Sequence, residues 1–417
     1  MEKKTVVRPG RVAQEKKVMQ LPVSGLKVGM YVRELDRPWL ETPFILQGFP
    51  IRSVEDIEEI AKHCEWVIVE VGEEVWQPAQ ERVLQEARKP RTLDYTPSTT
   101  SKDELGNAKA AHQNARALTR SFMDDVRLGR GIDIKEVKAT VSECVRSVLR
   151  NPDAMMWMSR LRSKDEYTSE HSLNVGLLAI TFGRHLGASE EDLNKLGVAG
   201  MLHDVGKMQT PNDILLKEAK LSDEEFQLMK MHAQQGRDIL LAHRNIYHGA
   251  IDVAYSHHEN LDGSGYPRGL KSGGITDFTR IVALCDVYDA ITSDRAYKKG
   301  ASSLNALKII QDEAGKKFDV RLAQEFIECI GLYPPGSIVE LHNGEVGIVV
   351  GTNYRHRHLP KVMIVRSVQK QACQERILNM EKIAASGATE QLIKNVLPNG
   401  IHGIRVETFV EKGLLFD

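Results

Sequence analysis

The chain has 417 residues, 41% hydrophobic and 27% charged, with a formal net charge of -1 at pH 7. That length exceeds one ordinary hydrophobic core, so two or three domains are expected. The charge balance leaves no overall basic field for duplex nucleic acid. Five scattered cysteines (Cys64, Cys144, Cys285, Cys329 and Cys373) form no Cys-x-x-Cys pair, which argues against a zinc ribbon or a disulfide framework.

No apolar run approaches the roughly 20 residues that span a bilayer, and the polar start is not a signal peptide, so a cytoplasmic protein is expected. Residues 1–17 are basic and too poor in apolar side chains to pack, and read as a disordered tail. Residues 18–77 read as a small α+β regulatory module. Met30-Tyr-Val and Phe44-Ile-Leu look like strands, and Trp66–Val71 is the clearest one. Between them Ser53 caps a short helix, with Asp56 at the capping-box offset and Ile57, Ile60 and Ala61 turned inward. Sensing or oligomerisation and a plain structural role both stand open for this module.

Residues 78–149 begin with a polar linker around Thr96–Ser101. A helical stripe follows: Leu105, Ala108, His112, Ala115, Leu118, Phe122 and Val126. After Gly129-Arg-Gly131, Asp133 caps a second helix whose stripe is Ile134, Val137, Val141, Cys144 and Val148. Two such helices pack on their own domain or join two copies as a homodimer through helices 105–149. His112 reads as ordinary packing.

Residues 150–330 are almost wholly helical. Tyr167–His171 opens a long helix with Val175, Leu178, Phe182 and Leu186 inside. Ser189 with Asp192 starts the next, whose end is expected at Gly206 after Leu193, Leu196, Val198, Ala199 and Leu202. Ser222 with Glu225 starts another through His232, and a further helix ends at His257-His258. Glu259–Pro267 reads as a loop, and Thr279–Asp289 as helix again. Residues 331–417 turn β-rich, with an Asn343-Gly344 hairpin signal between apolar runs. The expected fold is therefore mainly α, with a small α+β module before the helical bundle and a β-rich extension after it.

Seven side chains from separate expected helices stand beside apolar positions: His171, His203, Asp204, His232, His257, His258 and Asp286. One histidine on such a face is usually a packed core residue; five with two aspartates are poorly explained that way. Imidazoles with carboxylates and no thiolate suit iron, manganese, nickel, cobalt or zinc better than calcium or magnesium. Seven ligands exceed one tetrahedral site and suit two octahedral ions about 3.5–4 Å apart, an arrangement that hydrolyses phosphodiesters.

His203-Asp204-x-Gly-Lys207 resembles the signature of the HD phosphohydrolases. His257-His258-Glu259 with Asp262-Gly-Ser-Gly265-Tyr266-Pro267 resembles the HD-GYP subclass, the bacterial cyclic di-GMP phosphodiesterases. Tyr167-Thr-x-x-His171-Ser, Asp286-Val-Tyr-Asp289-Ala and Arg295-Ala-Tyr297-Lys298 follow in the matching order. The resemblance covers residues 150–330 and implies an all-helical HD-type bundle. Residues 18–77 more loosely resemble the uncharacterised domain that often precedes it.

The resemblance implies that His171, His203, Asp204 and Asp286 bind one divalent transition metal, iron or manganese first among the candidates. Asp204 would bridge to a second ion held by His232, His257 and His258. Water bridging the two ions would be the nucleophile, with Lys207 holding or protonating a phosphate oxygen. Tyr266 and Gly265 would face the ligand from the loop, Arg295 and Lys298 would contact guanine and phosphate, and Asp289 would orient Arg295. Some members carry a glutamate for a third metal where this chain has Tyr167; Glu166, one place off, would point about 100° away on a helix. Two ions and the linear product pGpG are therefore expected. Cyclic di-GMP and a signalling protein are the implied partners. A non-hydrolysing cyclic di-GMP receptor and an HD hydrolase of another nucleotide remain as alternatives.

Overall fold

The computed structural model describes residues 17–37, 42, 49–51, 53–71, 93, 95–160, 167–243, 245–293, 300–353 and 356–411. The chain divides into two compact units, Met1–Pro90 and Arg91–Asp417.

Among the described residues the first unit is a four-stranded antiparallel sheet with one α-helix. Its strands are β1 (Lys17–Pro22), β2 (Tyr31–Leu35), β3 (Phe49–Pro50) and β4 (Trp66–Val71), in the order β1-β4-β2-β3. Helix α1 (Val54–His63) starts in a reciprocal cap: Asp56 N donates to Ser53 Oγ at 3.2 Å, and Ser53 N to Asp56 Oδ2 at 3.0 Å. Alternate strand residues Val32, Val67 and Val69 meet Ile51 and Ile60 in the core, as a sheet with one covered face requires. Ile57 is half-buried and packs against that core as expected, whereas Ala61 is exposed, which corrects the inward face expected for it. Ile60 alone of the three enters the core fully, because only a narrow stripe of so short a helix meets the sheet. β1, with Val18, Met19 and Leu21, is a strand that the sequence reading does not name. The Phe44-Ile-Leu run and the basic tail up to residue 16 lie outside the described residues.

The second unit opens with a helical hairpin, α2 (Ser101–Arg127) and α3 (Ile134–Arg150). Thr100 Oγ1 accepts from Asp103 N, and Asp133 Oδ1 accepts from Lys135 N and Glu136 N, so donors left over at both helix starts are satisfied. Ala108, Ala115, Phe122 and Val126 of α2 are buried, as is the whole expected stripe of α3. Those faces close on the bundle itself. α2 packs against α4 (Pro152–Met158) and α5 (Tyr167–His185), and α3 against α6 (Glu190–Leu202), leaving neither stripe open for a second copy. At its N-terminus α2 turns differently from expectation: Leu105 is half-buried and Glu104 is 1% exposed. Glu104 accepts from Arg150 Nε at 2.7 Å and Ser147 Oγ at 2.8 Å, so the buried charge is paired.

After α6 a 3-10 turn, Val205–Gln209, leads through the short α7 (Asn212–Leu215) to α8 (Asp223–Leu241) and α9 (His248–Ser256). Ser189 and Ser222 cap α6 and α8 as expected, the latter with Glu225 completing a capping box. α10 (Asp277–Thr292), α11 (Ser303–Asp312) and α12 (Val320–Ile330) finish the bundle. A five-stranded antiparallel sheet follows: β5 (Ile338–Leu341), β6 (Val346–Gly351), β7 (Lys361–Arg366), β8 (Ala372–Asn379) and β9 (Ile393–Leu397), in the order β8-β7-β6-β5-β9. Asn343-Gly344 lies between β5 and β6 as expected. The sheet is tied to the bundle: buried Trp157 donates from Nε1 to Val350 O at 3.2 Å, and Thr352 N donates to Asp153 Oδ2 at 2.8 Å. Among the described residues no helix is long and apolar enough to cross a membrane.

Candidate metal centre

The C-terminal ends of two helices and the interiors of three deliver the seven expected ligands to one place. His203 caps α6 and Asp204 starts the 3-10 turn; His257 caps α9 with His258 beside it; His171 and Asp286 come from within α5 and α10, and His232 from α8. They form two groups: Asp204, His232, His257 and His258 in one, His171, His203 and Asp286 in the other. Within each, the ligand-type atoms lie within 4.8 Å of one another.

Asp204 joins the groups. Its Oδ1 is 3.4 Å from His232 Nε2 and 3.5 Å from His257 Nε2, and its Oδ2 is 3.4 Å from His203 Nε2 and 3.6 Å from His171 Nε2. Asp286 also spans them, with Oδ1 at 3.0 Å from His171 Nε2 and Oδ2 at 3.9 Å from His258 Nδ1. The sequence had assigned that aspartate to one side only.

Backbone carbonyls fix the imidazoles. His203 Nδ1 lies 2.7 Å from Gly200 O, His232 Nδ1 2.6 Å from Met229 O, and His257 Nδ1 3.1 Å from Val253 O. A carbonyl oxygen only accepts, so each Nδ1 carries the hydrogen and each Nε2 keeps a lone pair facing inward. His171 is held by a carboxylate instead: Asp289 Oδ2 accepts from its Nδ1 at 2.8 Å and also from Ser293 Oγ. That task for Asp289 was not foreseen. Arg295, which it was expected to orient, lies outside the described residues with Tyr297 and Lys298.

Two observations make a cation fit this place. His203 Nε2 and Asp204 Oδ1 are buried without a hydrogen-bond partner, an arrangement that is costly when nothing compensates it. His232 Nε2 and His257 Nε2 face each other at 3.3 Å, which sets lone pair against lone pair unless a cation draws on both. The donors are nitrogen and oxygen, the set that suits divalent transition metals. Cys285, next to Asp286, belongs to neither group, and burial pushes its thiol well above the ordinary value.

At three of the imidazoles the electrostatics agree with ligand duty. Burial lowers the imidazoles of His203 and His258 and takes His232 down to about 3, keeping them in the neutral form that binds metal. Burial alone would lower His171 too, yet the carboxylates of Asp286 and Asp289, accepting from its ring nitrogens, raise it to about 9, so an ion bound there displaces a proton. For Asp204, burial works upward, but the Lys207 ammonium and His203 hold the carboxyl well below the usual range. Lys207 Nζ donates to Asp204 Oδ2 and remains half-buried.

The loop after His258 is built around buried Glu259, whose carboxylate accepts from Arg268 N at 2.7 Å and Leu270 N at 2.8 Å. This closes the loop and returns Tyr266 to the metal side, where its N donates to His258 O at 3.1 Å and its ring lies 4.7 Å from the His258 ring. At Gly265 a Cβ would stand 2.3 Å from Asn260 N and 2.4 Å from Glu259 Cα, so its place in the site is a close backbone approach. Glu259 was visible in the motif without a task. Another connection the sequence left unseen is Glu170, buried next to His171 and paired with Arg116 Nη2 of α2 at 2.5 Å. Tyr167 opens α5, and Glu166 lies outside the described residues.

An all-helical bundle holding paired His/Asp groups defines a metal-dependent phosphohydrolase of the HD class. The HD domain model matches residues 155–322, and a domain of unknown function, DUF3391, matches 18–137. The "Cyclic di-GMP phosphodiesterase PA4108" of Pseudomonas aeruginosa is 34% identical over 382 residues, covering 90% of this chain and 91% of its own. The "Cyclic di-GMP phosphodiesterase response regulator RpfG" of Xanthomonas campestris is 39% identical, over 39% of this chain and 45% of its own. The "3'3'-cGAMP-specific phosphodiesterase 1" of Vibrio cholerae is 36% identical, over 36% of this chain and 35% of its own. The chain belongs to the HD-GYP cyclic di-GMP phosphodiesterase family, with an N-terminal DUF3391 region.

Proposed function

We propose that the chain linearises cyclic di-GMP to pGpG in the cytoplasm, with two divalent ions, iron or manganese, at the paired groups. The observation that carries this reading is Asp204, whose two oxygens face different imidazole sets within one buried cluster. His171, His203 and Asp286 would hold one ion and His232, His257 and His258 the other, with Asp204 shared. Two such ions supply Lewis-acid polarisation of the phosphodiester and a water nucleophile at neutral pH. Lys207, half-buried beside Asp204, donates to a phosphate oxygen as charge builds there or protonates the departing ribose oxygen. Tyr266 gives a base an aromatic surface next to His258. Arg295 and Lys298 would take guanine and phosphate, and Gly265 lets the loop approach. Tyr167, standing where a third-metal glutamate would be, supports a two-ion site and a linear dinucleotide as the product.

The test is anaerobic loading of the full chain with iron or manganese, incubation with cyclic di-GMP, and chromatography of the nucleotide. Conversion to pGpG is expected. Intact ligand bound by fully metal-loaded protein would overturn the reading in favour of a receptor.

A further inference from the structure

Tyr266 faces more than the metal side. Its ring lies 6.4 Å from that of Phe226, with the two planes at 79°, so the rings form two walls of a corner. The Lys230 ammonium lies in that corner, 4.7 Å from the Phe226 centroid and 5.4 Å from that of Tyr266. Phe226 and Lys230 are one turn apart on α8, so their own contact is ordinary. Tyr266, arriving from the loop after α9, makes the arrangement tertiary.

Two further facts point to a ligand. Phe226 is 44% exposed, a large aromatic left in water on the far side of Tyr266 from the buried His/Asp cluster. Lys230 is half-buried, and among the described residues no carboxylate pairs with it. A cation on two ring faces with no anion is poised for an acceptor that comes with an aromatic plane, which is the description of a purine.

We propose that Lys230 selects guanine: its ammonium donates to O6 and N7 of a purine stacked on Phe226 or Tyr266. Guanine presents two acceptors along that edge, which a lysine reads well. Adenine puts an amino donor where guanine has O6, so donor would meet donor. The four-carbon stem lets the ammonium swing from the ring face to the edge of an incoming base. The inference rests on the phosphodiesterase reading and deepens it, assigning base choice to a residue outside the metal ligands and the Gly-Tyr-Pro loop.

The experiment compares wild type, Lys230→Met and Lys230→Gln as metal-loaded full chains. It measures kcat and KM on cyclic di-GMP, on the mixed guanine–adenine dinucleotide and on cyclic di-AMP, with inhibition constants where one is not turned over. All three proteins should carry the same metal content. Lys230→Met should lose about tenfold or more in kcat/KM on cyclic di-GMP, mainly through KM. Lys230→Gln should move the guanine-over-adenine ratio by a similar factor, because glutamine pairs with N6 and N7 of adenine. An equal loss on all substrates would mean a phosphate contact and overturn the proposal, as would no change. Wild-type turnover with unaltered selectivity sinks this inference alone; a metal-loaded wild type that leaves every dinucleotide intact sinks the phosphodiesterase reading and this one with it.

Discussion

Gly206 and His232 touch through their backbones: a Cβ on Gly206 would stand 2.0 Å from the His232 carbonyl oxygen and 2.4 Å from Gly236 N. The glycine is therefore not a helix stop, as its sequence position suggests. α6 ends at Leu202, and Gly206 lies inside the following 3-10 turn, pressed on α8. Gly206→Ala must push α8 outward and take His232 with it. The expected result is about 1–3 kcal/mol of lost stability in denaturant unfolding, together with one metal equivalent less per chain by elemental analysis.

Asp204 should behave differently from any histidine. Because its oxygens serve both groups, Asp204→Ala is expected to lose both metal equivalents and to lower turnover on the order of 10³-fold. His258→Ala, on one side only, should keep an equivalent in the His171 group. Metal analysis of the two variants side by side checks the difference; equal losses would contradict the sharing.

In the proposed two-ion site Asp289 would act on the metal through His171, whose Nδ1 it holds at 2.8 Å. In Asp289→Ala the imidazole loses the partner of its Nδ1, and the affinity of that group should fall about 10- to 100-fold. A metal titration reads this directly. Asp289→Asn, which can still accept from Nδ1 but brings no negative charge, should fall between the variant and wild type.

His112 links α2 to acid stability. Burial, with Arg116 nearby, lowers its imidazole from 6.5 to about 4. An unfolded chain therefore takes up a proton between those values that the folded one refuses, so stability is full above about pH 6.5 and falls as the pH drops toward 4. The loss from this residue amounts to up to roughly 3 kcal/mol. His112→Leu should flatten that part of the stability–pH curve, as measured by urea unfolding from pH 7 to 4.

The clustering of the seven candidate ligands was legible because such side chains are chemically rare in apolar surroundings. Ser53, Ser189 and Ser222 were equally readable, since a cap is decided by residues three apart. What stayed hidden was tertiary. The α2 and α3 stripes announce burial without naming the surface that covers them. Glu104 carries no signal of burial in the sequence because its partners, Ser147 and Arg150, arrive only when the hairpin closes. The Nδ1 bonds of His203, His232 and His257 go to backbone carbonyls, which leave no trace in residue identity. The Lys230 corner likewise needs a loop and a helix to meet.

The Trp157–Val350 and Asp153–Thr352 bonds, with the burial of α2 and α3 against α5 and α6, bear on where this protein can be cut. A fragment trimmed to the matched span of 155–322 would strip the hairpin from one flank and the strands anchoring Trp157 from the other. Such a truncation exposes a greasy wound on both sides, and silence from it in an assay would report collapse rather than missing chemistry. The smallest autonomous piece should begin near Thr100 and run past β9.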